Sequence, residues 1–165
     1  MSELRIRPAV ADDLASLREL VVDLAIYEKE PDAVKASEDD FRKALFCESP
    51  KVFALICENV VYEKTTVIGL AIYFFNFSTW IGKHGIYLED LFVKPEARGL
   101  GAGKALLKAV GQIALENDCG RYEWSVLDWN TPAIDFYKAQ GAVPMDEWTV
   151  FRMDREALEA FVQKD

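Results

Sequence analysis

Apolar residues follow two different spacings along this chain, and the spacing separates its helices from its strands. Leucines three or four positions apart predict a helix that begins at Asp12 or Asp13 and ends near Glu30. The same spacing predicts further helices at 104–117, 130–140 and 154–162, and Ser37 opens a shorter one. Alternating or β-branched runs predict strands at 4–7, 52–57, 66–77, 86–93, 122–127 and 149–153.

The order of these elements is β-α-α-β-β-β-α-β-α-β, with a possible helix at the tail. A strand, helix and strand in succession around residues 98–103 require at least one parallel strand pair. The consecutive earlier strands favour an antiparallel meander. The sequence therefore predicts an α/β fold with a mixed central sheet flanked by helices. No linker or repeat divides the chain, so residues 1–165 are predicted to form one domain.

Composition narrows the possible partners. The chain has 165 residues, of which 51% are hydrophobic, and this is enough for a packed core. Its net charge of -9 argues against a nucleic-acid partner, which requires a basic surface. The acidity is compatible with a cationic substrate, although solubility alone is the commoner reason for it.

Cysteine and histidine usage limits the chemistry further. Cys47, Cys57 and Cys119 show no metal-type pairing, and His84 is the sole histidine, which argues against a zinc site or a serine–histidine triad. An odd number of cysteines suits a reducing compartment, and no apolar run resembles a secretion signal or a membrane span. We therefore expect a cytoplasmic protein with no membrane partner.

A glycine-rich loop, Arg98 to Gly103, joins a predicted strand to a predicted helix. Glycine stands at every second position of this loop and permits positive φ and close approach of a ligand. The N–H groups of the following helix make the loop typical of a phosphate site. Ala105 after Lys104 excludes a Walker loop, and the third glycine comes one position too early for a dinucleotide fingerprint. A plain strand-to-helix turn is the alternative interpretation.

The pattern Arg98-x-x-Gly101-x-Gly103 resembles the pyrophosphate loop of the GNAT superfamily of N-acetyltransferases, which bind acetyl-coenzyme A. The order of elements resembles that superfamily over nearly the whole chain. Other segments resemble the diamine acetyltransferase group, which contains the spermidine/spermine and thialysine enzymes. These segments are Tyr27-Glu28, Tyr73-Phe74, Trp80-Ile81-Gly82, Tyr87-Leu88-Glu89-Asp90, Asp128-Trp129-Asn130, Asp135-Phe136-Tyr137-Lys138 and Gly141-Ala142. Ser78-Thr79-Trp80 and Val126-Leu127-Asp128-Trp129-Asn130 resemble the thialysine branch more closely.

The resemblance implies acetyl-coenzyme A as cosubstrate, no metal, and a set of cofactor-binding residues. Backbone groups of three strand residues would meet the pantetheine arm and the thioester carbonyl, while their side chains suit the core. The implied set is Leu91, Phe92, Val93, Arg98, Gly99, Leu100, Gly101, Ala102, Gly103, Lys104, Asn130, Pro132 and Tyr137. The Lys104 side chain equally suits a solvated first helical turn, and Asn130 equally suits a helix cap.

The resemblance also implies two catalytic residues. An ammonium with a pKa near ~10.4 must lose a proton, and Glu89 would accept it through an ordered water. A phenol with a pKa near ~10 can protonate a thiolate of pKa ~8.5, and Tyr137 would do this. Asp90 is expected beside Glu89 on the opposite strand face, although adjacent carboxylates are often unrelated. Tyr137 equally suits a core position.

Substrate residues follow from the resemblance as well. Several acidic groups along one channel would hold a second ammonium at a fixed distance from the reacting one. The implied substrate-binding set is Tyr27, Glu28, Glu89, Asp90, Trp124, Ser125 and Glu147, with Asp146 as an alternative to the last.

These observations lead to one main functional hypothesis. It is an acetyl-coenzyme A-dependent N-acetyltransferase that acts on a primary amine of a small diamine, polyamine or lysine-like amino acid. An acetyltransferase for protein or peptide lysines and a non-catalytic acyl-coenzyme A-binding module are the alternatives. The resemblance implies a homodimer.

Overall fold

The computed structural model describes residues 2–164. The chain divides into two compact units, Met1–Ser125 and Val126–Asp165. The first unit contains the whole sheet, and the second contains two helices and extended chain. No helix in the described part of the chain has the length and apolar character needed to cross a membrane.

A five-stranded mixed sheet forms the first unit, in the order β1-β2-β3-β4-β5. The first four strands run antiparallel to their neighbours, whereas β5 runs parallel to β4. The predicted meander and the predicted parallel pair are therefore confirmed. The strands are β1 (Ser2–Pro8), β2 (Phe53–Val61), β3 (Lys64–Ser78), β4 (Lys83–Val93) and β5 (Arg121–Trp124).

Two helices, α1 (Leu14–Tyr27) and α2 (Glu38–Leu45), pack on one face of the sheet, which we call the α1 face. The predicted leucine stripe of α1 is buried there against alternate residues of β3, including Leu70 and Ile72. Ser37 caps α2 by accepting a hydrogen bond from the Asp40 N–H. Burial of this apolar stripe is the main force that holds α1 on the sheet.

The helix after the glycine loop, α3 (Ala102–Glu116), packs on the opposite face, which we call the α3 face. Gly69 of β3 faces this helix, because a Cβ at that position would meet the Leu106 side chain at 3.3 Å. Gly69 and Leu70 are neighbours on one strand, so they point to opposite faces. The prediction of helices on both faces of the sheet is therefore confirmed.

The second unit contains α4 (Thr131–Ala139) and α5 (Arg155–Val162), both close to their predicted positions. Asp154 caps α5 by accepting a hydrogen bond from the Ala157 N–H at 2.8 Å. The predicted strand at 149–153 is wrong, since these residues are exposed and belong to no sheet. A β-branched run becomes a strand only when a neighbouring strand accepts its hydrogen bonds, and local sequence does not supply one.

Helix α1 ends earlier than its apolar spacing predicts. The backbone of Lys29 is left-handed, with φ of 65°, and the Glu30 N–H donates to the Ala25 carbonyl at 2.9 Å. This turn closes the helix after Tyr27, before Pro31 can stop it. The C-terminal end of α1 is therefore Tyr27, and Glu28 follows it directly as the C-cap residue.

Candidate active site

The parallel strands β4 and β5 pair over only a short distance. Gly85–Leu88 pair with Arg121–Trp124, and β4 then continues for five residues, 89–93, beside β3 alone. Among residues 2–164, no strand pairs with the other edge of this β4 segment. Its backbone groups on that edge are therefore left without a strand partner. Leu91 and Val93 are half-buried here, and Phe92 is part of the core.

A β-bulge interrupts β4 at the start of this segment. Ile72 pairs with Asp90 and the next β3 residue, Tyr73, pairs with Leu88, so Glu89 has no partner on β3. Paired residues point to the same face, and Ile72 lies on the α1 face, so Asp90 points there too. Glu89 itself is exposed. The extra residue thus places Glu89 at the point where the two parallel strands part.

Three carboxylates interact electrostatically beside the bulge. Burial raises the pKa of Asp90 to about 6, and the negative charges of Glu89 and Glu28 raise it further. Burial also raises the pKa of Glu28. The structure therefore brings the end of α1 close to the bulge of β4.

Clustered carboxylates are usually compensated by nearby cationic side chains. Among the described residues, Glu28, Glu89 and Asp90 form no ion pair with Lys or Arg. The cationic side chains that form ion pairs in the first unit, among them Arg5, Arg7 and Lys94, are bonded to other carboxylates. No group of three or more His, Cys, Asp and Glu residues among those described has the arrangement of a metal site. The clustered negative charge of these three carboxylates favours a cationic ligand.

The glycine loop leads directly into α3. Gly99 and Gly101 have φ of 85° and 83°, a conformation that strains other residues, and a Cβ at either position would meet nothing within 4 Å. Gly101 is the N-cap of α3, no side chain of the described residues caps this end, and its first turn contains no acidic residue. Open space above unprotected helix N–H groups is what a phosphate requires.

The remaining loop residues differ in their exposure. Leu100 and Lys104 are exposed, Gly103 is half-buried and Ala102 is buried. Arg98 lies over the ring of Tyr27, with its guanidinium carbon 4.9 Å from the ring centroid. A residue predicted to bind the amine and a residue predicted to bind the cofactor are thus in contact.

Trp124 and Ser125 point in different directions. The Ser125 hydroxyl lies 2.6 Å from that of Tyr87, whose partner Phe74 lies on the α1 face with Ile72. Trp124 instead packs against Tyr122 with ring centroids 4.9 Å apart. The Tyr122 hydroxyl donates to the Leu107 carbonyl of α3 at 3.2 Å. Ser125 therefore lies on the face of Asp90, and Trp124 lies on the α3 face.

Within the second unit, the predicted residues lie on or near α4. Asn130 is buried and caps α4 by accepting a hydrogen bond from the Ala133 N–H at 3.3 Å, and Pro132 occupies the first turn. Tyr137 is half-buried, with its ring 5.4 Å from that of Phe136. Asp146 and Glu147 are exposed.

Sequence reasoning missed Tyr87 as a neighbour of the acidic group. Strict alternation places Tyr87 and Asp90 on opposite faces of β4, whereas the bulge places both on the α1 face. No glycine or proline within 86–93 signals a bulge. The pairing with β3 was needed to find it.

The family profile for "Acetyltransferase (GNAT) family" matches residues 15–142, which is most of the chain. The protein therefore belongs to the GNAT family of acetyltransferases. The predicted fold class is confirmed, and the protein is an N-acetyltransferase.

The particular relatives are amine acetyltransferases. A thialysine N-epsilon-acetyltransferase from Bos taurus is 39% identical, with 99% of this chain and 100% of that protein aligned. A second, from Mus musculus, is 36% identical over 96% of each chain. Among solved structures, an integron cassette protein from the mobile metagenome of V. cholerae has a TM-score of 0.78 and 28% identity over 98% of both chains. The predicted resemblance to the thialysine branch is confirmed.

Proposed function

We propose that this protein transfers the acetyl group of acetyl-coenzyme A to a primary amine of a small diamine, polyamine or lysine-like amino acid, in the manner of the thialysine enzymes. One observation carries the proposal. Glu28, Glu89 and Asp90 form an acidic group that has no ion-pair partner among residues 2–164, at the point where β5 ceases to pair with β4. Such a group attracts a substrate with more than one ammonium. A homologous amine acetyltransferase at 39% identity supports the choice of substrate class.

Acetyl-coenzyme A, when bound, supplies an activated acyl thioester. Arg98 and the N–H groups from Gly99 to Lys104 would hold its phosphates, because no described side chain caps the glycine-lined N-terminus of α3. Backbone groups of Leu91–Val93, which have no strand partner on one edge of β4, would hold the pantetheine arm. Asn130 and Pro132 at the start of α4 are further proposed cofactor contacts, which the family resemblance implies.

Glu89 and Tyr137 carry the proton transfers of the proposed reaction. The Glu89 carboxylate takes a proton from the ammonium through one water, and the freed lone pair forms the new N–C bond while the C–S bond breaks. The Tyr137 hydroxyl would give its proton to the departing thiolate, and the second proton that the nitrogen loses as it becomes an amide would restore the Tyr137 hydroxyl through water. Glu28 and Asp90 hold the second charged group of the amine, with Tyr27, Ser125 and Glu147 as further proposed contacts.

The proposed assembly is a homodimer in the cytoplasm. Large apolar side chains between 143 and 153 are more than half exposed in the single chain, which supports a covering partner. These side chains are Val143, Met145, Trp148, Val150, Phe151 and Met153. Sedimentation equilibrium measures the oligomeric state.

A thiol-release assay over a panel of amines tests the reaction. We expect turnover on amines that carry a second charged group and little turnover on simple monoamines. Turnover on peptide lysines alone would identify a protein acetyltransferase. Binding of acetyl-coenzyme A with no turnover on any amine would identify a non-catalytic module and overturn the proposal.

The variant Tyr137→Phe tests the acid role. We expect kcat to fall by about 10²–10⁴-fold with little change in the KM of the amine, because only the proton donor is lost. Tyr62→Phe is the matched control, since Tyr62 is 88% exposed in the turn between β2 and β3. An unchanged kcat in Tyr137→Phe would remove Tyr137 from the acid role.

A further inference from the structure

The contact between Arg98 and Tyr27 joins two elements that are far apart in sequence. Tyr27 is the last residue of α1, and Arg98 is the residue directly before Gly99 in the glycine loop. The guanidinium carbon lies 4.9 Å from the ring centroid, within the ~6 Å range of a cation–π interaction. One side-chain pair therefore connects the C-terminal end of α1 to the start of the glycine loop.

The Tyr27 ring is a fixed platform. It is half-buried and packs against the core cluster under α1, which includes Leu24 and Ile72. The backbone around it is held as well, because the Lys29 N–H donates to the Ile26 carbonyl at 3.1 Å. Because the ring packs against the core and the neighbouring backbone is hydrogen-bonded, the Tyr27 side chain has little freedom to move away from Arg98.

Arg98, by contrast, is exposed and depends on this platform for its orientation. Its backbone N–H donates to the Pro95 carbonyl at 3.2 Å, which fixes the main chain but leaves the long side chain free to rotate. When a guanidinium contacts an aromatic ring through its flat face, its N–H donors point outward within the guanidinium plane, where they remain available to an anion. Stacking on Tyr27 therefore orders Arg98 without consuming its hydrogen-bond donors.

We propose that Tyr27 is a positioning residue for the cofactor, whose ring holds the Arg98 guanidinium in place to bind the phosphates of coenzyme A. This inference rests on the proposed function, which supplies the ligand. It gives Tyr27 a part in cofactor affinity that is separate from any contact with the amine. Prior ordering of Arg98 lowers the entropy lost when the phosphate binds.

Calorimetric titration with coenzyme A measures this effect without turnover. We expect Tyr27→Leu, which removes the ring, to raise the Kd of coenzyme A about 5–10-fold, within the range reported for cation–π pairs. Tyr27→Phe keeps the ring and removes only the hydroxyl, so its Kd should stay within about twofold of the wild type. Equal affinity of all three proteins would overturn the inference.

A double-mutant cycle separates positioning from a general effect on the fold. In an Arg98→Gln background, Tyr27→Leu has no guanidinium to position and should change the Kd by less than about twofold. The same fold-change in both backgrounds would mean that Tyr27 acts through the fold, and would overturn the inference. If the wild type itself fails to bind coenzyme A, the proposed function fails together with this inference, whereas wild-type binding with unaffected variants removes the inference alone.

Discussion

Two groups of carboxylates in the first unit face opposite electrostatic surroundings. Asp13 and Glu58 are 7% and 4% exposed, and Arg7 donates to both, with 2.7 Å separating its Nη1 from Asp13 Oδ2 and its Nη2 from Glu58 Oε1. Arg5 also donates to Glu58, at 2.7 Å. We call Asp13 and Glu58 the paired group. Glu28, Glu89 and Asp90, the unpaired group, have one another as charged neighbours instead.

The pKa shifts of Asp13 and Glu58 are opposite in sign to those of Asp90 and Glu28. The hydrogen bonds from Arg7 lower the pKa of Asp13 against the effect of burial. Burial alone would raise the pKa of Glu58, but the hydrogen bonds from Arg7 and Arg5 hold it below its usual value. In the unpaired group, the pKa of Asp90 rises to about 6. Ionised carboxylates therefore stabilise the fold in the paired group and destabilise it in the unpaired group. Such destabilisation is expected of a site that binds a cation.

The largest expected effect comes from removing the shared cation of the paired group. Arg7→Met leaves Asp13 buried without its partner, and we expect a loss of about 3–5 kcal/mol in the free energy of unfolding at pH 7. Urea denaturation measures it. Arg5→Met is the matched control and should cost no more than about 1 kcal/mol, because the Arg5 side chain is 55% exposed and Glu58 keeps Arg7. Equal losses in the two variants would contradict the pairing.

The same group makes the fold sensitive to acid. The pKa values of Asp13 and Glu58 in the folded chain lie below their usual 3.8 and 4.5, so the unfolded chain takes up protons first. Their contribution is present above about pH 4.5 and is lost as the pH falls through the folded values. In Arg7→Met, the free energy of unfolding should therefore fall less steeply with decreasing pH below about pH 4.5 than it does in the wild type.

The second effect has the opposite sign and concerns Asp90. Its raised pKa means that the folded chain binds this proton more tightly than the unfolded chain does. The contribution of Asp90 to stability is therefore most favourable below pH 3.8 and is lost as the pH rises through about 6. Asp90→Asn abolishes this loss. We expect the variant to be about 1–2 kcal/mol more stable than the wild type at pH 7.5, with little difference at pH 3.5. Urea denaturation at both pH values checks it, and a variant less stable at pH 7.5 would contradict the assignment.

The smallest effect concerns Glu28, whose pKa is raised by burial alone. Glu28→Gln should stabilise the fold at pH 7.5 by less than about 1 kcal/mol, because Glu28 is only half-buried. It should also raise the KM for a diamine while leaving the KM for a monoamine nearly unchanged. Steady-state kinetics with a matched diamine and monoamine provide the measurement. Equal changes in the two KM values would show that Glu28 does not bind the second ammonium group of the diamine.

Local spacing was sufficient to predict most of the fold, but not the contacts within the candidate active site. The stripe of α1 and the glycines at 99 and 101 could be read directly, because each depends on residues close in sequence. The bulge at Glu89 depends on the register with β3, and the stacking of Arg98 on Tyr27 joins distant segments. The segment 149–153 has strand-like composition without a strand partner. Pairing across the chain is the information that a single sequence lacks.

The bulge has a consequence for how activity and fold can be separated. Since Tyr73 pairs with Leu88 and Ile72 with Asp90, the ladder on each side of Glu89 is already in regular register. Glu89 is thus the extra residue of the bulge and pairs with no residue of β3. A deletion within a strand usually shifts the register and turns the following side chains to the wrong face. Deletion of Glu89 would instead join two segments of β4 that already face correctly. It would remove the proposed base and leave the strand pairing intact.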